Sequence, residues 1–159
     1  MDEILMMLEK DGRLTDKQIA AALGHDEAEI QKSIAKYEAD GTILKYTALI
    51  NHDNLDEERV TALIEVKIAP QLGEGYDRIA QRIYQYDEVD SLYLMTGSYD
   101  LLVTMTAKTM KDAAQFVYAH LAAIDGVTST ATHFIMKKYK EQNCVFIKEP
   151  EQEERLYFV

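Results

Sequence analysis

The spacing of apolar residues changes at Thr61, and this change limits the architectures open to the chain. Before Thr61, apolar residues recur at helical intervals, as at Ile30, Ile34 and Tyr37. From Thr61 onward, the stretch TALIEVKIA alternates apolar and polar residues, which is the period of a strand with one buried face. A helical segment followed by a segment that opens with a strand predicts an α+β protein with two domains.

The first segment has the features of a helix-turn-helix. Thr15 and Gln18 have the spacing of a capping box at the start of a second helix, and Gly24 is expected to end that helix. Only Gly24 and His25 separate it from a third helix. Two helices joined by so short a turn near a glycine predict a helix-turn-helix.

The third helix and the residues after it complete a winged-helix pattern. The helix is predicted to begin at Asp26, with Glu29 as a capping-box partner, and to end at Gly41. The next ten residues, TILKYTALIN (42–51), favour a short pair of strands. Residues 1–51 are therefore predicted to form a winged helix-turn-helix domain.

The remainder of the chain is predicted to be a linker and a ferredoxin-like domain. Residues 52–60 are polar and acidic, as expected of a linker, and a short surface helix at the same boundary stays open as an alternative. Residues 61–159 follow the order β-α-β-β-α-β, with a hairpin at 89–106 and a long last strand after Gly126. Two apolar stretches in the C-terminal tail, CVFIK and RLYFV, are expected to add an edge strand or to pack on a neighbouring subunit.

Composition narrows the class of protein. The formal net charge of −11 disfavours nonspecific attraction to nucleic acid or to anionic membrane. The lone Cys144 forms no internal disulfide, and no stretch is apolar enough to span a bilayer. The N-terminus has no basic region typical of a signal peptide. We therefore expect a cytoplasmic protein that does not bind a membrane, and the sequence predicts no metal and no cofactor.

Three segments together resemble the feast/famine (leucine-responsive, Lrp/AsnC) family of transcriptional regulators. KYEADGTILKYTALIN resembles the end of the recognition helix and the wing. LMTGSYDLLVTM resembles the family's Gly-x-x-Asp hairpin, and HLAAIDGVTSTATHFIMKKYK resembles its second helix and last strand. The resemblance covers nearly the whole chain. It implies a regulator whose binding to double-stranded DNA responds to a small effector, usually an amino acid.

The resemblance also implies an effector site at the hairpin. A zwitterion needs donors for its carboxylate and an acceptor for its ammonium, which the hairpin turn and hydroxyls of the last strand could supply. The residues predicted to bind the effector are Gly97, Ser98, Tyr99, Asp100, Thr130 and Thr132. Other interpretations stay open, because an aspartate in a turn commonly bonds to its own backbone and strand threonines are common for packing alone.

DNA contacts are expected from the exposed side of the third helix and from the wing. Glutamine pairs with adenine, alanine contacts the thymine methyl, and lysine reaches guanine or phosphate. The predicted set is Ala28, Gln31, Lys32, Ala35, Lys36 and Lys45. The helix is nevertheless acidic, and Ser33 stands where the family commonly has arginine. Weak binding per half-site is therefore expected, or alternatively a domain that has lost DNA binding.

The sequence also bears on whether the chain assembles into oligomers and whether it is an enzyme. A βαββαβ unit covers one face of its sheet with helices and leaves the other for a partner, so we expect a homodimer that assembles further, for example into an octamer. The same architecture resembles siroheme decarboxylases, an alternative that would need clustered histidines and arginines. The four histidines are scattered, and no catalytic residue is predicted.

Overall fold

A computed structural model describes residues 2–69 and 75–146. The chain divides into two compact units between Ile50 and Asn51. None of the helices within the described residues is long and apolar enough to cross a membrane.

The N-terminal unit is a three-helix bundle with a small core. Its helices are α1 (Glu3–Lys10), α2 (Asp16–Leu23) and α3 (Glu27–Ala39). Each helix contributes to one apolar cluster, whose buried members are Ile4, Ile19, Ala20, Ile30 and Ile34. Of the three positions predicted for the buried stripe of α3, Ile30 and Ile34 thus face the core, whereas Tyr37 is only half-buried. The other side of that helix is left to solvent.

The helix caps agree with the sequence at α2 and differ at α3. Thr15 and Gln18 form the predicted capping box, and Gly24 ends α2 with a φ of 70°. Asp26 caps α3 by accepting a hydrogen bond of 2.8 Å from Ala28 N. The predicted return bond from Glu29 is absent, and its carboxylate lies 3.9 Å from His25 Nδ1 instead. The capping-box prediction for α3 was therefore wrong in its second half.

The predicted wing hairpin was also wrong, because residues 42–50 contain no strand in the structure. The segment is held against α3 by other contacts. Ile43 N donates to Tyr37 O at 2.9 Å, and the Tyr46 hydroxyl donates to Glu38 Oε1 at 3.0 Å. An isolated two-stranded hairpin is only marginally stable, so these contacts with α3 decide the path of the chain.

The C-terminal unit has the predicted βαββαβ order. Its elements are β1 (Val60–Ile68), α4 (Tyr76–Ile83), β2 (Val89–Leu94), β3 (Leu101–Ala107), α5 (Met110–Phe116) and β4 (Val127–Phe134). All neighbouring strands are antiparallel, in the order β2-β3-β1-β4. A π turn at Val117–Leu121 extends α5. This is the ferredoxin-like fold.

The helices cover one face of the sheet and leave the other more open. On β1, Ala62, Ile64, Val66 and Ile68 are buried in one cluster with side chains of α4 and α5. The residues between them on β1 are partly or fully exposed. The alternation predicted for this strand is therefore present, with the core between sheet and helices.

The end of the described chain differs from the prediction. The last long strand stops at Phe134, and Cys144–Val145 pairs with Lys140–Glu141 in a separate two-stranded hairpin. Both residues of its turn, 142–143, have positive φ, as expected of a type I′ turn. Cys144 and Val145 of the stretch CVFIK thus form β6 of this hairpin (β5–β6) and do not join the main sheet, and the last two residues of the stretch lie outside the described residues. The stretch RLYFV lies outside the described residues.

Candidate effector loop and DNA-binding helix

The loop between β2 and β3, residues 95–100, is closed by a short backbone hydrogen bond. Met95 N donates to Asp100 O at 2.8 Å, directly after the last strand pair, Leu94 and Leu101. Gly97 has a φ of 138°, a region that side-chain-bearing residues rarely adopt. Gly97 and Ser98 are exposed, whereas Tyr99 is half-buried. The loop thus presents backbone groups to solvent from a fixed base.

Asp100 forms that base. Its Oδ2 accepts a hydrogen bond of 2.7 Å from Ile68 N, and its Oδ1 accepts one of 3.3 Å from the Tyr76 hydroxyl. Its own N donates to Val66 O at 3.0 Å. The carboxylate therefore joins the loop to the end of β1 and the start of α4. An ionised carboxylate has about four acceptor sites, so two of them remain for further donors.

The two predicted threonines lie across β1 from this loop. Thr130 pairs with Val66 and Thr132 with Ile64 in the β1–β4 ladder. Directly paired residues project to the same face, so both threonines share the face of the buried β1 residues, and both are half-buried. Because Asp100 N also bonds to Val66, the structure brings Asp100 and Thr130 to opposite sides of one β1 residue. Thr132 lies two residues farther along the strand.

The structure separates the predicted DNA-contacting residues of α3 into two groups. Ala28, Lys32 and Lys36 are exposed and spaced by four residues, so they form one row along the helix. Gln31 and Ala35 are exposed as well, but they line a groove of about 410 Å³ together with Tyr46 and residues of the α1–α2 connection. Lys45 is exposed in the segment after α3.

In the row of Ala28, Lys32 and Lys36, the positive charges of the two lysines are only weakly neutralised by acidic residues. Within the described residues neither lysine makes an ion pair. The carboxylate of Asp40 interacts electrostatically with Lys36. Hydrogen bonds from the Thr42 hydroxyl and amide hold the pKa of the Asp40 carboxyl below the usual range. Asp40 thus stays ionised close to Lys36.

The far end of α3 is fixed by a tyrosine. The Tyr37 hydroxyl donates a hydrogen bond to Asp2 Oδ2, the N-cap residue of α1. This bond lowers the pKa of Asp2, with a further contribution from Ile4 N, and it raises the pKa of Tyr37. The helix that presents the lysines is therefore tied to the first residues of the described chain.

Comparison with known proteins matches the C-terminal unit to a known domain family. A family model described as the Lrp/AsnC ligand binding domain matches residues 61–145, which include the loop, Asp100 and both threonines. The chain belongs to the Lrp/AsnC family. The resemblance drawn from the three sequence segments is thus confirmed.

Relatives of this Lrp/AsnC member are transcriptional regulators. It is 43% identical over 145 residues to YugG of Bacillus subtilis, an uncharacterized HTH-type transcriptional regulator, and the match covers 91% of this chain and 87% of YugG. The leucine response regulatory protein LrpA of Mycobacterium tuberculosis has the same fold, with a TM-score of 0.76 at 18% identity, over 92% of this chain and all of the other. A Neisseria meningitidis regulator in complex with L-methionine has a TM-score of 0.70 at 24% identity, over 89% of this chain and 93% of the other.

The sequence of this Lrp/AsnC protein did not predict two residues whose hydrogen bonds fix the β2–β3 loop and helix α3. Tyr76 begins α4, and its hydroxyl donates to Asp100. Asp2 carried no signal beyond being an acid before a helix, yet it accepts from Tyr37 across the bundle. Both are contacts between distant segments, and a single sequence contains no pattern that reports them.

Proposed function

We propose that this chain regulates transcription by binding double-stranded DNA through α3, and that an amino acid bound at the β2–β3 loop changes this binding. In this proposal residues 1–51 are the DNA-binding domain, 52–60 the linker and 61–159 the effector and oligomerisation domain. The observation that carries it is the fixed loop, in which Asp100 accepts a hydrogen bond from Ile68 N and the exposed residues Gly97 and Ser98 precede it in the same turn.

The loop offers complementary groups to a zwitterion. Exposed amides at Gly97 and Ser98 suit a carboxylate, because consecutive backbone N–H groups in a turn form an anion-binding concavity. Within the part of the chain that the structure describes, the Oδ1 atom of Asp100 accepts only the long bond from the Tyr76 hydroxyl, so it is the acceptor that we assign to the ammonium. The L-methionine complex of the Neisseria regulator supports an amino acid as the ligand class.

The half-buried residues of the site have supporting roles in this proposal. Thr130 lies nearer the loop than Thr132, and we assign its hydroxyl to the effector carboxylate or to a bridging water. Thr132, at the next position on the same face of β4, orients the Thr130 hydroxyl. Tyr99 covers the bound ligand from the loop side. Each assignment predicts a smaller effect on affinity than loss of the Asp100 charge.

DNA binding is assigned first to the row of Ala28, Lys32 and Lys36. Lysines neutralise phosphates, and this term supplies much of the affinity of such helices. Gln31 and Ala35 lie beside the groove near Tyr46, so we expect them to contact fewer bases than the row does. Lys45 adds a phosphate contact.

Weak half-sites would be compensated by assembly. The open face of the sheet is half-buried at Leu63, Glu65 and Leu102, which suits a second copy of the chain. We propose a homodimer through this face and a higher assembly such as an octamer, in which several helix-turn-helix units bind one DNA. Light scattering at micromolar concentration should report a multiple of the 18.2 kDa chain, and a monomer would contradict the assembly.

We infer a regulator and not an enzyme of the siroheme decarboxylase type. Among the described residues, no three histidine, cysteine, aspartate or glutamate side chains are grouped to hold a metal ion. His133 Nε2 lies 3.3 Å from Glu65 on the open face, and His120 packs against aromatic rings, so these two are not clustered for substrate binding. The relatives bear the names of regulators.

A second function is favoured by the acids of α3, namely a ligand-binding oligomer that no longer binds DNA. Asp26, Glu27 and Glu29 lie at the start of the helix, where DNA-reading helices usually approach phosphates. Fluorescence anisotropy with fragments of the genome that encodes the chain separates the two functions. Saturable, salt-dependent binding supports the regulator, and its absence in low salt supports the ligand-binding oligomer.

The effector is found by a thermal-shift screen of the standard amino acids. A ligand at about one hundred times its Kd stabilises the folded state by ~2.7 kcal/mol, which gives a clear shift. The amino acid that raises Tm should also change the anisotropy titration with DNA. If no amino acid changes either measurement, the effector proposal is wrong, whether or not the chain binds DNA.

A further inference from the structure

A second cavity lies in the C-terminal unit between the end of α4 and the π turn that follows α5. Its volume is about 460 Å³, which is within the range of small-molecule sites. Its lining includes Arg82, Gln85 and Tyr86 from the α4 side and His120 from the π turn. None of these residues belongs to the β2–β3 loop or to β4, so this is a separate candidate site.

The π turn opens this cavity. Ala122 N donates to Val117 O at 2.8 Å, five residues earlier, which widens the helix by one residue. Ala119 and Ala123 both line the cavity, and their small side chains leave its floor open. Single π turns inside α-helices occur frequently at functional sites, because the extra residue is energetically unfavourable without a compensating role.

The rings of Tyr86 and His120 line the cavity, and they belong to a cluster of three rings that includes Phe116. The ring of His120 lies 4.8 Å from that of Tyr86 and 5.1 Å from that of Phe116, and Tyr86 and Phe116 are 5.3 Å apart at an interplanar angle of 88°. His120 packs against these two rings, although the residue is exposed on its helix. Its ring is thus held in place while part of it faces the cavity.

The polar groups of the cavity select for negative charge. Arg82 makes no ion pair within the described residues, and its guanidinium supplies a planar fork of donors that matches a carboxylate. Among the described residues, no acid lines the cavity, although the chain has a net charge of −11. By contrast, the larger cavity of about 940 Å³ beside the start of α5 is lined by four acids.

We propose that this cavity binds a small monocarboxylate with a planar apolar body. Arg82 pairs with the carboxylate, Gln85 donates a second hydrogen bond, and the body lies against the rings of Tyr86 and His120. A free amino acid is disfavoured, because none of the described residues that line the cavity has a carboxylate to neutralise its ammonium. The site is therefore distinct in ligand class from the β2–β3 loop, and it does not depend on the effector proposal.

The test uses benzoate as the charged probe and benzamide as its uncharged counterpart. Calorimetric titration of the full chain should show benzoate binding, with benzamide about tenfold or more weaker, because only benzoate can pair with Arg82. Arg82→Gln should weaken benzoate binding by about tenfold or more and bring it close to benzamide. Arg13→Gln removes the same charge from the other unit and should leave benzoate binding unchanged.

Four results would overturn the proposal. The first is equal affinity for benzoate and benzamide, and the second is unchanged benzoate affinity in Arg82→Gln. The third is no benzoate binding up to about 10 mM, a concentration that covers the weak affinity of a ligand this small. Asp100→Asn should retain benzoate binding, and a loss there would place benzoate at the loop and so also contradict this site. Equal Tm values of the variants establish that each is folded.

Discussion

Asp100 Oδ2 accepts a hydrogen bond of 2.7 Å from the backbone amide of Ile68, thirty-two residues earlier in the chain. This bond connects the β2–β3 loop to the last residue of β1, so the loop is fixed by a strand that does not adjoin it in sequence. One side chain therefore has two roles in our proposal. It holds the loop through Oδ2, and it offers Oδ1 to the effector.

The first prediction separates these two roles. Asp100→Asn keeps an oxygen that accepts from Ile68 N but removes the charge, so the effector affinity should fall by ~1–3 kcal/mol, the range for a charge-assisted hydrogen bond. Asp100→Ala removes both acceptors, and it should also lower the free energy of unfolding by about 1–3 kcal/mol, because the Ile68 amide loses its partner. Calorimetry and urea unfolding measure the two quantities.

Asp90→Asn is the matched control for this pair of variants. Asp90 Oδ2 accepts from the Thr106 hydroxyl at 2.7 Å on the same sheet, outside the loop. Its substitution should leave the effector affinity unchanged. If Asp100→Asn binds the effector as tightly as the parent does, Asp100 acts only on the structure of the loop.

The fold was predictable because its elements repeat simple patterns. The alternation of Ala62, Ile64, Val66 and Ile68 places β1 with one buried face, and the burial in the structure follows it. Periodicity reports burial directly, so it predicts strands and helices well. The prediction of a wing hairpin was wrong for the opposite reason. Residues 42–50 have β-favouring side chains, but tertiary contacts with α3 decide their conformation.

The site was predictable only in part. Gly97 and Asp100 stand out in sequence because a glycine and an aspartate in a turn have special backbone and side-chain chemistry. What the Asp100 carboxylate bonds to was not predictable, since Ile68 N and the Tyr76 hydroxyl come from elements brought near only by the fold. The π turn at Val117–Leu121 likewise has no recognisable sequence signal, so the cavity it opens required the structure.

The second prediction concerns DNA. Lys32→Ala and Lys36→Ala should each weaken binding to an operator, and each should reduce the slope of log K against log salt by about 1 if a phosphate contact is lost. The effect of Lys32 should be the larger, because Asp40 lies close to Lys36 and already offsets part of its charge. Anisotropy titrations at several salt concentrations measure both slopes.

Lys10→Ala serves as the control for these lysines, because Lys10 is exposed in the last turn of α1 and outside the predicted DNA surface. It removes the same charge from the same unit. Equal losses for Lys10, Lys32 and Lys36 would mean that only the overall charge matters, and α3 would then not be the DNA-reading helix.

The third prediction concerns acid pH. The pKa of Asp2 is lowered in the folded chain, chiefly by the Tyr37 hydroxyl and next by Ile4 N. A lowered carboxyl pKa stabilises the folded state above the unfolded-state value, and this contribution is lost as pH falls through the folded value. The N-terminal unit should therefore lose stability on going from about pH 5 to about pH 3.

Tyr37→Phe tests the source of this dependence. The variant lacks the hydroxyl, so its loss of stability between the same two pH values should be smaller than in the parent. Part of the dependence should remain, because Asp40 also has a lowered pKa, from its bonds to Thr42. Urea unfolding followed by circular dichroism at several pH values measures the difference, and identical pH profiles for parent and Tyr37→Phe would contradict the assignment.

The fourth prediction uses the backbone of the loop. Gly97 has a φ of 138° with open space where a Cβ would be, so Gly97→Ala causes backbone strain and no steric clash. Strain of this kind costs about 1–3 kcal/mol, and the loop can relieve it only by changing its path. We therefore expect Gly97→Ala to lower either the free energy of unfolding by that amount or the affinity for the effector. Gly75→Ala is the matched control, because Gly75 has an ordinary φ of −71° and equally open space. If both variants unfold at the same urea concentration and bind the effector as the parent does, the conformation of Gly97 has no part in the site.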